Sequence, residues 1–324
     1  MVAEPLVVGV DGGATKTVAL IGTTTGILGR GESGSSNYHN VGTVAAGKTL
    51  NQAVANAKRQ AGLRGRVANT AVVSLAGIDS SEGFRIARLF VRRARVARKT
   101  FVIHDSVSAL YTATKGTPGI IVNSGTGCFA AGINKACEYV RIGGWGYLID
   151  DKGSAFDIGM KAITMGYRMI DGRTRTTNLI PLLKRRLGVR MFDEILDNIY
   201  SNRLTVEEIA RLAPYVSKAA SHDRVCRQIL TEAAISLAEL PCTAARRLKM
   251  TDTAFPLATV GGAFRSGRHF VEPFTSRVRD ECPKARFLTL EDEPAKGAYL
   301  IAAKLAPGLR TLSRQDRWLQ KVIN

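Results

Sequence analysis

The sequence predicts an α/β fold built as two lobes, and three observations carry that prediction. The chain has 324 residues, about twice the length of an ordinary domain. A unit of strand, glycine turn and strand occurs at 7–15 and again at 120–127, the two copies lying roughly a third of the chain apart. Short β-branched runs alternate with stretches of helical spacing along most of the chain.

Residues 6–10 form a β-branched run that ends at Asp11-Gly12-Gly13; 17–21 resume it and 26–33 add a third segment. The pattern reads as strand, tight turn, strand, strand. Ala46, Leu50, Ala53, Val54 and Ala57 lie at helical spacing within 44–61, which stops near Gly62. A buried strand at 71–75, a helix at 83–96, a strand at 100–103 running into His104-Asp105, and a helix at 107–114 follow. The second half restarts with a strand at 120–123, the turn Ser124-Gly125-Thr126-Gly127, and strands at 128–133 and 138–142. Residues 153–250 read as mostly helical. A strand at 255–260 meets Gly261-Gly262 with a helix beyond, and a strand at 286–290 and a helix at 294–305 complete the fold. The segment from 308 onward is polar and basic with an amphipathic hint, and no element is predicted for it.

Apolar residues make up 45% of the chain and charged residues 23%, a balance that excludes wholesale disorder. No apolar run approaches the about eighteen residues of a spanning helix. The first residues lack the basic and apolar regions of a secretory signal, so the expected compartment is the cytoplasm. Lys and Arg number 46 against 27 acids, a net charge of +19, concentrated at 92–99, 184–186 and 310–321. Aromatics are only 6% and do not interleave with arginine, so neither nucleic acid nor a membrane is the expected partner. The charge reads as a solvated surface that steers an anionic substrate. Five scattered cysteines form no C-x-x-C pair, so neither a zinc site nor a disulfide framework is indicated.

Asp11-Gly12-Gly13-Ala14-Thr15-Lys16-Thr17 gathers a carboxylate, glycines, hydroxyls and an ammonium in one short turn. Asp11 suits a Mg²⁺ held through water, the Gly12 and Gly13 amides and Thr15 suit phosphate oxygens, and Lys16 offsets their charge. A strand follows where a Walker A loop needs a helix. Alone, the segment equally suits an ordinary hairpin. Its second copy favours a pair of phosphate turns gripping one triphosphate, with Thr126 and Gly127 as the counterpart. Gly125 to Ala130 formally matches the dinucleotide pattern, but it too runs into a strand, so that reading is rejected.

Gly261-Gly262 either lets an adenosine lie against the backbone or caps a strand. Asp105 stands at the end of a strand, where open α/β sheets place reactive groups; it suits accepting a hydroxyl proton and equally suits capping the next helix. His104 receives no role. Ser36-Asn37-Tyr38-His39-Asn40 is a polar loop that suits sugar hydroxyls or is merely a turn. Gly143-Gly144-Trp145-Gly146, followed by Asp150-Asp151, offers an indole platform and a carboxylate for a sugar diol, or a buried Trp and a helix cap.

Taken in order, these segments, together with Asp151-Lys152-Gly153-Ser154-Ala155, resemble the N-acetylglucosamine kinases and the archaeal ATP-dependent broad-specificity hexokinases. Both belong to the BadF/BadG/BcrA/BcrD-type branch of the actin-like ATPase superfamily. The resemblance covers residues 6 to about 160 densely and returns at Gly261-Gly262 and Glu293-Pro294-Ala295-Lys296-Gly297-Ala298. It implies a two-lobed, ribonuclease H-like fold, each lobe a mixed sheet flanked by helices, with a nucleotide cleft between them. The expected division is 1–116 completed by 295–306, then 117–294, then a basic tail at 307–324.

The resemblance further implies that Asp105 is the catalytic base, and that ATP meets Gly12, Gly13, Thr15, Lys16, Thr126, Gly127, Gly261 and Gly262. Asn37, Asp105, Cys128, Phe129, Gly144, Trp145, Gly146 and Asp151 stand where the family contacts its sugar, and Asp11 where Mg²⁺ is held. Two departures are visible: Ala14 replaces the glycine or threonine usual in the first turn, and Cys128 stands where Ser is common. The implied activity is transfer of the γ-phosphate of Mg-ATP to the C6 hydroxyl of a hexose or N-acetylhexosamine by a homodimer. The alternatives are an ATPase that activates a CoA-ester reductase or dehydratase, and a sugar-sensing regulator without catalysis.

Overall fold

A computed structural model describes residues 4–290, 292–306, 312–313 and 316–323. The chain divides into two compact units. The first comprises Met1–Gly119, Ile133–Tyr139 and Glu291–Asn324; the second comprises Ile120–Gly132 and Val140–Leu290.

The first unit is built on strands β1 (Val7–Gly12), β2 (Thr17–Gly22), β3 (Ile27–Ser33), β4 (Ala68–Leu75) and β5 (Ala97–His104), in the order β3-β2-β1-β4-β5. β1 pairs antiparallel with β2 and parallel with β4, so the sheet is mixed. Alternation decides its faces. Val8 and Val10 point into one core with Leu50, Val54 and Phe90 of helices α1 (Tyr38–Gln60) and α2 (Ser81–Ala94). Gly9 faces the other way, where a Cβ would overlap the backbone of Tyr299 in α11 (Ala295–Leu305). Only a glycine lets that helix lie so close. α11 also packs on α3 (Asp105–Thr114).

The second unit carries β6 (Gly119–Ser124), β7 (Cys128–Ile133), β8 (Tyr139–Gly143), β9 (Phe255–Val260) and β10 (Ala285–Thr289), ordered β10-β9-β6-β7-β8. Between β8 and β9 run α4 (Ala155–Ile170), α5 (Leu179–Leu187), α6 (Glu194–Tyr200), α7 (Val206–Ala210), α8 (Ala213–Ala219) and α9 (Arg224–Arg247). A 3₁₀ turn, Gly262–Arg265, then precedes α10 (Arg268–Glu281). Leu183, Val216, Leu237, Phe270 and Phe274 join Ile120 and Leu257 in this unit's core.

The structure moves several expected boundaries. α1 starts at Tyr38, not 44, because the Asn37 side chain accepts from the His39 N–H and closes the first turn; Gly42, at φ 76°, then interrupts it. The polar loop is therefore largely helix. Expected helix 83–96 ends at Ala94, and Arg95 turns left-handed before β5. In the basic tail, 307–311, 314–315 and 324 lie outside the described residues, while Trp318–Ile323 is a helix, α12, with Trp318 and Leu319 buried. Trp318 stacks on Tyr139 with centroids 5.6 Å apart, and both belong to the first unit. The basic run 92–99 borders a pocket of about 930 Å³ shared with Phe101 and Ile323. Among the described residues, no helix is long and apolar enough to cross a membrane.

Candidate active site

In the first unit, β1 and β2 are joined by a tight turn in which the Gly13 N–H donates to the Lys16 carbonyl at 2.9 Å. Thr15 and Lys16 are exposed at its tip, while Thr17 is buried, 2.8 Å from Ser36 Oγ. The turn therefore presents a hydroxyl and an ammonium outward from an anchored base. Asp11, at the end of β1, is pushed up to about 7, first by burial, then by the charges of Asp105 and Glu293, with Lys16 opposing. These groups share one electrostatic neighbourhood, and Glu293 is held in turn by Arg30 at 2.9 Å. Glu293 carries no local sequence signal beyond its place in the Glu293-Pro294-Ala295-Lys296-Gly297-Ala298 segment.

Asp105 is the first residue of α3, but it does not cap the helix. The cap is His104, whose Nδ1 accepts from the Ser106 N–H at 3.1 Å. His104 Nε2 lies 2.9 Å from Asp79 Oδ1, and Nδ1 lies 2.7 Å from Asp105 Oδ1. That oxygen is buried and no hydrogen bond reaches it. The approach to the ring is close but not aligned. Asn37 packs its amide over Gly77, beside His39, whose Nε2 lies 3.0 Å from the Gly77 carbonyl.

In the second unit, the turn between β6 and β7 is closed by Gly125 N–H donating to Gly127 O at 2.9 Å, and Thr126 is exposed at its tip. Asp151, buried and at φ 61°, accepts the Cys128 N–H at 3.1 Å. Its carboxylate fills the space beside Gly127, where a Cβ would come within 2.7 Å of Oδ2. The Cys128 thiol turns inward and donates to the Lys152 carbonyl at 3.3 Å, and burial pushes its pKa up. Phe129 is buried beside it. Neither Asp150 nor Asp151 caps α4, as the sequence had allowed; Ser154 Oγ does, accepting from Asp157 N–H at 3.1 Å.

Trp145 is 56% exposed, so it is not a buried Trp. Arg141, which the sequence reading passed over, lies 5.4 Å from its ring and donates to the Gly144 carbonyl at 2.7 Å. Gly261, at φ 106°, lies where a Cβ would overlap the Ser124 backbone, so it is required by close approach to the turn. Gly262 is exposed at the head of the 3₁₀ turn.

Two mixed five-stranded sheets flanked by helices, each carrying a glycine turn, place the chain in the class of actin-like ATPase folds. The model of the BadF/BadG/BcrA/BcrD ATPase family matches residues 8–302, and the chain belongs to that family. It is 30% identical over 298 residues to the N-acetylmuramic acid/N-acetylglucosamine kinase of Clostridium acetobutylicum, covering 91% of this chain and 97% of that protein. It is 25% identical over 313 residues to the N-acetyl-D-glucosamine kinase of Dictyostelium discoideum, covering 93% and 98%. A solved structure of a candidate N-acetylglucosamine kinase from Chromobacterium violaceum matches with a TM-score of 0.78 at 24% identity, over 92% of this chain and 99% of that one.

Proposed function

We propose that the chain is an ATP-dependent sugar kinase that phosphorylates the C6 hydroxyl of an N-acetylhexosamine, N-acetylglucosamine foremost, and also of related hexoses. The observation that carries this reading is Asp105. It stands at the junction of β5 and α3 with part of its carboxylate exposed, and its charge acts on Asp11 beside the first glycine turn. The names of the two relatives supply the substrate class.

In this reading the sugar oxygen attacks the γ-phosphorus as the bond to the ADP oxygen breaks, and Asp105 takes the hydroxyl proton. Gly12, Gly13, Thr15 and Lys16 in one unit, and Thr126 and Gly127 in the other, bind phosphate oxygens. Gly261 and Gly262 take the adenosine. Asn37 in one unit, and Cys128, Phe129, Gly144, Trp145, Gly146 and Asp151 in the other, contact the sugar. The surroundings of Asp11 fit a divalent cation, since a half-buried carboxyl among negative neighbours is relieved by positive charge. Among the described residues no group of three or more His, Cys, Asp or Glu could cage a metal. When bound, Mg²⁺ neutralises charge on the phosphates.

A coupled ADP-release assay across N-acetylglucosamine, N-acetylmuramic acid, glucosamine, glucose and mannose, with a no-sugar control, tests the proposal. ADP release that rises strongly with N-acetylglucosamine is expected. Turnover indifferent to every sugar would overturn it and favour a plain ATPase.

A further inference from the structure

We infer that His104, oriented by Asp79, is a positioning residue that sets which oxygen of Asp105 is presented to the reacting hydroxyl. The inference rests on the kinase reading and on the role of Asp105 within it. His104 ends β5 and Asp105 begins α3, so the imidazole and the base stand on adjacent residues at one strand–helix junction.

The ring's hydrogen bonds assign its tautomer. A backbone N–H can only donate, and Ser106 N–H donates to Nδ1 at 3.1 Å, so Nδ1 is the bare nitrogen and Nε2 carries the proton. Nε2–H then donates to Asp79 Oδ1 at 2.9 Å. Ser106 Oγ lies 2.7 Å from Nδ1 and 2.7 Å from the Tyr139 hydroxyl. With Nδ1 as acceptor, donors run in one direction: Tyr139 to Ser106, Ser106 to His104, and His104 to Asp79. A carboxylate that fixes an imidazole's tautomer and plane from the far side is a recurrent device for orienting reactive groups.

The consequence falls on Asp105. Its Oδ1 lies 2.7 Å from Nδ1. The ring edge therefore occupies the space beside Oδ1 and limits further inward rotation of the carboxylate. Oδ1 is buried while the side chain as a whole remains 27% exposed. The accessible oxygen is therefore Oδ2, which becomes the proton acceptor. Nothing in the local sequence around His104 announces Asp79, which lies 25 residues away along the chain.

The test separates orientation from helix capping. His104→Ser keeps an N-cap side chain for α3 but loses the ring and the link to Asp79. In N-acetylglucosamine-dependent ADP release, its kcat should fall about 10- to 100-fold, with KM for sugar and Mg-ATP within about threefold and the melting temperature close to wild type. Asp79→Asn should show the same split more mildly, and the double variant should be no worse than His104→Ser, because both act through one chain of contacts. In ¹⁵N spectra of the wild type, His104 should show a protonated Nε2 and a bare Nδ1. A His104→Ser enzyme with wild-type kcat, additive losses in the double variant, or the opposite tautomer would overturn the inference while leaving the kinase reading intact. Full activity in Asp105→Asn would remove the base itself, and with it both the reading and the inference.

Discussion

Asp151 and Cys128 are tied across the second glycine turn: the Asp151 carboxylate accepts the Cys128 N–H at 3.1 Å and fills the space beside Gly127. The carboxylate thus supports the turn from within the unit, whatever else its other oxygen meets. Asp151→Ala should leave a buried N–H without its acceptor and destabilise the protein by about 1–3 kcal/mol. It should also raise KM for Mg-ATP together with KM for sugar. Thermal unfolding and a two-substrate kinetic analysis check this; a change in sugar KM alone would confine Asp151 to sugar contact.

Gly261 faces the same turn from β9. At φ 106°, with its missing Cβ directed into the Ser124 backbone, it tolerates no side chain. Gly261→Ala should cost more than about 1 kcal/mol from strain at that dihedral and overlap with the backbone. Mg-ATP affinity should fall with it, measured by calorimetric titration, because the Thr126 turn shifts.

Thr15 and Thr126 occupy matching exposed tips, one in each unit, with their turns closed by backbone bonds. Replacing either with Val should leave the fold's stability within about 0.5 kcal/mol. It should lower kcat/KM for ATP by about tenfold or more. Unchanged kinetics in either variant would remove that turn from phosphate binding.

Asp11 provides a pH signature. Its carboxyl is raised from 3.8 to about 7 in the folded chain, so folding favours the protonated form. Ligand-free stability is then fully present below about pH 4 and declines as pH rises through 7, by at most about 4 kcal/mol. Asp11→Asn should flatten this decline and raise the melting temperature at pH 8 relative to wild type, with the gap closing at pH 4. A parallel pH dependence in both proteins would contradict it.

Much of this arrangement was legible in the sequence, because glycine turns after β-branched runs specify strand ends through local sterics. The doubled turn, the strand before Asp105 and the placement of Thr15 and Thr126 at turn tips all follow from neighbours in the chain. What escaped is of two kinds, local caps and distant partners. Asn37 reads as a loop residue although it caps α1 at His39, and Asp105 reads as either a base or a cap, the cap being supplied by His104. Glu293 meets Arg30 across more than 260 residues, and Arg141 acts on Gly144 and Trp145 only once the loop has folded back. Trp318 lies in a segment whose charge suggested solvent, yet it is buried against Tyr139 and Tyr111.

The central assignment is tested most directly by the turnover number of Asp105→Asn in N-acetylglucosamine-dependent ADP release. Loss of the proton acceptor should lower kcat by about 10²- to 10⁴-fold while sugar affinity, measured by equilibrium titration, changes far less. A kcat within a few-fold of wild type would show that Asp105 takes no proton from the sugar and contradict the account.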